Sequence, residues 1–187
     1  MTLFEYLTVA FSLLYSLAAL RLIGGIPVAV APARRYWPHL LLTFALLLMI
    51  AGGFWTFWSL REVEWTYIGF LIALAVVGLL YYLAAVLVPE NPDAVLSWRE
   101  HYAAIRRRWY TGLSLWAVAI ALNATVNLGF PPAHPSRALQ AASLGIGVVG
   151  ALSSSNRVHE ALAVLVAIGV AGMMFTIGLS PSWLIQM

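Results

Sequence analysis

The sequence predicts an all-α integral membrane protein: a six-transmembrane-helix bundle in a single domain, residues 1–187, with a cytoplasmic amphipathic interfacial helix between the third and fourth spans. Three observations predict it. Of the 187 residues, 63% are hydrophobic and 9% are charged, against about 25% charged in a soluble domain, so the chain cannot clothe itself in water-compatible side chains. Mean hydropathy is +0.90, and the apolar residues gather into runs near the roughly 20 that a helix needs to cross about 30 Å of hydrocarbon. The arginines fall mainly in alternate connections between those runs, which is how a multi-pass chain records its sidedness.

The first span, 3–23, has no basic stretch ahead of it and no small-residue cleavage site, so it reads as a retained helix and not as a cleaved signal peptide. The second runs over 39–60 and the third over 67–88. A surface helix is expected next, at 92–108. Asn91 can cap it, with Pro92 at the first helical position and Asp93 beside it, which suits both the steric and the dipole demands of a helix start. Val95, Trp98, Tyr102, Ile105 and Trp109 recur on one face, while Arg99, Glu100, Arg107 and Arg108 fill the remainder, so the segment should lie along the membrane surface and bend into the fourth span, 109–130. The fifth span, 138–154, is shorter and rich in glycine. The sixth, 161–179, is followed by Ser180, Pro181 and Trp183, the last an expected interface anchor. No internal repeat divides the chain.

Sidedness follows from arginine counting. Arg21, Arg34, Arg35, Arg99, Arg106, Arg107, Arg108 and Arg157 share one side, and only Arg61 and Arg137 share the other. Basic residues in short loops stay cytoplasmic, so both termini are expected outside, in the periplasm of a bacterial inner membrane. Aromatic residues mark the same two edges, with Trp55, Trp58 and Trp65 outside and Tyr36, Trp37, Trp98 and Trp109 inside.

Composition removes several chemistries. There is no cysteine, hence no disulfide framework, thiolate zinc site or iron–sulfur cluster. All ten basic residues are arginine, so no lysine can hold retinal or pyridoxal phosphate as a Schiff base. The formal charge of +3 and pI near 9.5 come from arginines dispersed over short loops, and nucleic acid is not an expected partner. HExxH, a Walker loop and GxSxG are missing. Enzyme is therefore the weaker class, and no cofactor is expected.

Polar groups in hydrocarbon are costly enough to need partners, and here they concentrate in the outer half. Glu5, Thr8 and Ser12 on the first helix, Asn123 and Asn127 on the fourth, and Gln140 and Ser143 on the fifth form three stripes at helical spacing. Two readings stand: interhelical packing through small and hydrogen-bonding residues, or an outward-opening pocket between the first, fourth and fifth helices with Glu5 as its carboxylate. His39, His101 and His159 lie at the cytoplasmic margin, too far from mid-membrane for a bundle haem, and are the residues that could converge on a divalent metal. Arg106, Arg107 and Arg108 are placed to meet anionic lipid headgroups.

The chain resembles a group of small multi-pass bacterial inner-membrane proteins without assigned function. The resemblance rests on Leu3-Phe4-Glu5-Tyr6-Leu7, on Arg34-Arg35-Tyr36-Trp37 with His39 two places on, on Leu87-Val88-Pro89-Glu90, and on Arg106-Arg107-Arg108-Trp109-Tyr110. It covers nearly the whole chain and implies no activity or cofactor. The functional expectation is a non-enzymatic membrane protein whose outer polar pocket binds, or helps translocate, a small solute, ion or lipid. The alternative is an accessory or scaffold subunit of a larger complex; a metal-dependent membrane enzyme is the third. Membrane lipid is the expected partner, and small-residue faces such as Gly145, Gly147 and Gly150 leave homo-oligomerisation open.

Overall fold

Runs of leucine, alanine and valine in a lipid environment have one local solution. Without water to satisfy the backbone, every N–H must bond within its own segment, which selects helices. The computed structural model describes residues 3–179, in the order α1 (Leu3–Ala29), α2 (Trp37–Thr56), α3 (Tyr67–Leu87), α4 (Trp98–Val126), α5 (Ser136–Leu152) and α6 (Asn156–Leu179). Short 3-10 turns stand at Phe57–Leu60 and Pro92–Ala94, and there is no strand among the described residues. The expected anchor at Ser180, Pro181 and Trp183 lies outside them. Five helices are long and apolar enough to cross a membrane. The exception is α5 with 17 residues, about 25 Å at 1.5 Å per residue.

Local chemistry fixes the helix ends. Pro38 stands in the first turn of α2, where its missing N–H is not needed. The Thr66 hydroxyl accepts the Gly69 N–H at 3.0 Å and caps α3. After α4, Gly129 adopts φ +64, a conformation that suits a residue without Cβ, and the Phe130 N–H returns to the Ala124 carbonyl at 2.9 Å. α1 carries on past the expected end at Ile23, through Gly24-Gly25 and Pro27, to Ala29. Proline in a last turn removes one hydrogen bond only, and Leu22, Gly25 and Ala29 are buried there.

One expectation needs correction. Residues 92–108 do not form a separate surface helix: Pro92–Ala94 make a single 3-10 turn, and α4 runs without interruption from Trp98 to Val126. Asn91 makes no capping bond; the cap is Ser97, whose hydroxyl accepts the Glu100 N–H. Tertiary contacts explain the shift. The Arg34 guanidinium holds the carbonyls of Asp93 and Val95 at 3.1 and 3.3 Å, and the Trp98 indole N–H donates to the Val28 carbonyl at 3.3 Å. These bonds tie down the segment that would have been the first helical turn. The apolar stripe is real but faces protein, with Trp98, Tyr102 and Trp109 buried.

The helices form a ring in the order α1, α3, α4, α5, α6, α2 and back to α1, with α2 also reaching α3 across the middle. Phe11, Leu22, Leu46, Leu80 and Leu83 fill the interior. Apolar burial supplies little net drive when the surroundings are lipid, so close backbone approach and hydrogen bonding take its place. Glycine makes that approach where α4 meets α5: a Cβ at Gly147 would stand 2.8 Å from the Ser114 nitrogen and 2.9 Å from the Tyr110 oxygen, both backbone atoms of α4.

Candidate functional site

The expected outer polar residues fall into three separate sets. On α1, the Thr8 hydroxyl donates to the Phe4 carbonyl at 2.7 Å and the Ser12 hydroxyl to the Val9 carbonyl at 2.8 Å, while Glu5 lies on the exposed surface. On α4, the Asn127 amide donates to Asn123 Oδ1 at 2.8 Å and to the Gly69 carbonyl of α3 at 2.9 Å, which makes the pair a clamp between the two helices. On α5, Gln140 Oε1 accepts from Arg137 at 3.0 Å, and Ser143 is half-buried. The ring order explains the separation: α1 packs on α2 and α3, and α4 and α5 lie beyond α3. The three stripes do not form the walls of one chamber.

Arg137 is the residue that sequence reading undervalued. Its guanidinium donates to the carbonyls of Ala121 at 2.9 Å, Phe130 at 2.7 Å and Pro131 at 3.4 Å, to Thr125 Oγ1 at 2.9 Å and to Gln140 Oε1. Its five N–H donors are all engaged, at the end of α4 where the helix dipole favours a cation. The signal was available: one of only two arginines on that side, just after the Pro131-Pro132 break.

At the arginine-rich end, aromatic and histidine rings converge. His39 is fully buried. Its Nε2–H donates to the Leu87 carbonyl at 3.0 Å, and the His101 Nε2–H donates to the same oxygen at 3.2 Å. That carbonyl stands in the last turn of α3, where no intrahelical partner exists. The His39 ring stacks on Trp98 with centroids 4.3 Å apart, and His101 meets the edge of Trp98 at 5.4 Å. His159 does the equivalent for α5, donating to the Ser153 carbonyl at 3.0 Å, with Tyr102 and Tyr110 against its ring and their hydroxyls 3.3 Å apart. The histidines are therefore helix-terminal caps. They do not gather as ligands: no group of three histidine, aspartate or glutamate side chains able to hold a metal occurs among the described residues.

Charges of both signs at this end act on Tyr36. Burial first, then the Glu160 carboxylate, raises its phenol above the ordinary value, while Arg99 and Arg106 pull the other way. Of the three consecutive arginines, Arg106 donates to Asn156 Oδ1 at 3.2 Å, and Arg107 and Arg108 are exposed.

Two clefts open on the outer surface of the bundle. One, of about 270 Å³, lies between α4 and α5 beside Ser114 and Val148. The other, of about 420 Å³, lies between α1 and the end of α3 beside Arg21 and Glu90. Fold and site together define a multi-pass helical membrane protein. No protein-family model, curated protein or solved structure matches the chain.

Proposed function

We propose that this chain is a non-enzymatic accessory or scaffold subunit of a larger membrane assembly, inserted in a bacterial inner membrane with its arginine-rich end in the cytoplasm. One observation carries the reading. The polar side chains best suited to a solute pocket already engage groups inside the bundle: Asn127 holds Asn123 and Gly69, Arg137 holds Gln140, and Thr8 and Ser12 bond their own helix. Most of what α5 turns outward is apolar. α5 buries Gly147 and Gly150 and leaves Leu144, Val148, Val149 and Leu152 exposed, a face that neighbouring helices can cover. α5 counts as a sixth crossing in this reading, its short length accommodated by local thinning of the bilayer.

The experiment is to extract the chain at native abundance in mild detergent and measure the size of the particle containing it. A scaffold subunit runs in an assembly well above 20.4 kDa plus detergent, and Val149→Trp releases it without lowering the melting temperature of the purified chain. A solute that raises that melting temperature, with the effect abolished in a still-folded Asn123→Leu variant, would replace the scaffold reading with the pocket reading.

A further inference from the structure

The larger cleft holds two opposite charges that do not pair. Its volume of about 420 Å³ falls in the roughly 300–1,000 Å³ range of small-ligand sites. Arg21 and Glu90 both line it. The Arg21 Nε–H donates to the Val88 carbonyl at 2.9 Å, which pins the guanidinium at the end of α3. Its terminal Nη groups make no other hydrogen bond among the described residues, and Glu90, exposed in the connection after α3, makes no ion pair with Arg21 there. Gly24 keeps the space between α1 and this connection open, with nothing within 4 Å of where a Cβ would stand. Away from the charges Leu17 and Leu20 line the cleft, and α1 carries the apolar surface on beyond it. Leu20, Leu17 and Leu13 follow one another at helical spacing on α1, exposed by 64%, 52% and 62%.

A cation and an anion held apart at the mouth of an apolar groove complement a ligand that carries both charges on a hydrocarbon tail. We infer that this cleft binds a phospholipid with a phosphoethanolamine headgroup. Its phosphate lies on the Arg21 guanidinium, its primary ammonium on the Glu90 carboxylate, and one acyl chain runs along Leu20, Leu17 and Leu13. A purely anionic headgroup would set its charge near Glu90 and offer that carboxylate neutral hydroxyls at most. A quaternary ammonium has no N–H to donate to it. A primary ammonium makes charge-assisted hydrogen bonds to the carboxylate while arginine takes the phosphate. The inference rests on α1 and α3 crossing a bilayer and is independent of the scaffold role.

The test uses the full chain purified in detergent, with retained lipid counted by native mass spectrometry and thermal melting recorded in parallel. The probes are dioleoyl phosphatidylethanolamine, phosphatidylglycerol and phosphatidylcholine, offered at equal concentration. Phosphatidylethanolamine is expected to be retained over each of the others by about fivefold, the factor supplied by one charge contact at the headgroup surface. Glu90→Gln should bring phosphatidylethanolamine and phosphatidylglycerol to equal retention. Arg21→Gln should lower both. Gly24→Leu fills the cleft where no protein atom stands, so it should abolish selective retention while lipid-free melting stays that of the parent. Equal retention of the three lipids by the parent, or undiminished phosphatidylethanolamine on a folded Gly24→Leu variant, overturns the assignment.

Discussion

Replacing Gly147 by alanine places a methyl group against the backbone of α4, and backbone cannot swing aside as a side chain can. The new Cβ would stand 2.8 Å from the Ser114 nitrogen and 2.9 Å from the Tyr110 oxygen, where ordinary contact begins at 3.4 Å. α5 therefore has to retreat by roughly half an ångström, and a gap of that size forfeits about a quarter of the dispersion attraction along the seam. The close approach is confined to two positions: Gly147 and Gly150 are the buried residues of α5, and α4 is the helix it leans on most. Overpacking of this kind costs about 1–3 kcal/mol, offset by about 1 kcal/mol from the better helix propensity of alanine. The net loss of up to about 2 kcal/mol corresponds to a melting temperature lower by up to about 8 °C for a chain of this size. Gly145→Ala is the matched control, since nothing lies within 4 Å of its Cβ position, and it should leave stability unchanged or raise it by up to about 1 kcal/mol. The assay is thermal unfolding of both purified variants in one mild detergent. Equal melting temperatures for Gly147→Ala and Gly145→Ala would refute the close α4–α5 approach on which this reasoning stands.

Arg137→Gln removes most of a five-donor staple and should lower unfolding stability by about 2–4 kcal/mol; Arg137→Lys should fail to restore it, because an ammonium cannot reproduce the planar fork. A lysine variant with parental melting would count against the staple. Asn127→Leu leaves Asn123 Oδ1 without its donor and removes the bond that ties the Gly69 carbonyl of α3 to α4, at a cost of about 1–3 kcal/mol, and adding Asn123→Leu should cost less than the sum of the single changes, which a double-mutant cycle in thermal unfolding measures. His39→Phe keeps a ring on Trp98 but loses one of two donors to the Leu87 carbonyl. The same cycle with His101→Phe should be more than additive, since only the double variant strips that oxygen; simple additivity would show that the two histidines act independently. Ala104→Cys, exposed on α4 among the arginines, should stay unlabelled by an impermeant thiol reagent applied outside intact cells, and labelling there would reverse the proposed sidedness.

Legibility divides along physical lines. Helix formation in this chain is decided by local composition, because a run such as Leu79 to Leu87 in lipid has no competing backbone solution; the sequence boundaries for α2 and α3 accordingly lie within a few residues of those observed. The start of α4 did not yield to the same reasoning. Asn91-Pro92-Asp93 is a sound local helix start, yet Arg34 and Val28, some 60 to 70 residues away in the chain, hold that segment and its neighbour Trp98 by bonds that no local pattern contains. The histidines escaped for a related reason. Residue type makes His39, His101 and His159 ligand candidates, but only the placement of the Leu87 and Ser153 carbonyls makes them caps.

By itself the sequence determined the solvent this chain belongs to, the class of its fold, the residues that would be polar in an apolar setting, and the asymmetry of its arginines. Those follow from transfer free energies summed along the chain, which require no knowledge of neighbours. Tertiary structure alone decided which helices touch, and with that whether the polar stripes of α1, α4 and α5 would share a chamber or close separately, as they do. It also brought Arg21 beside Glu90 across a separation in the chain that periodicity cannot span. Side-chain contact depends on the order of helices around the ring, and that order is a cooperative property of all the interfaces together.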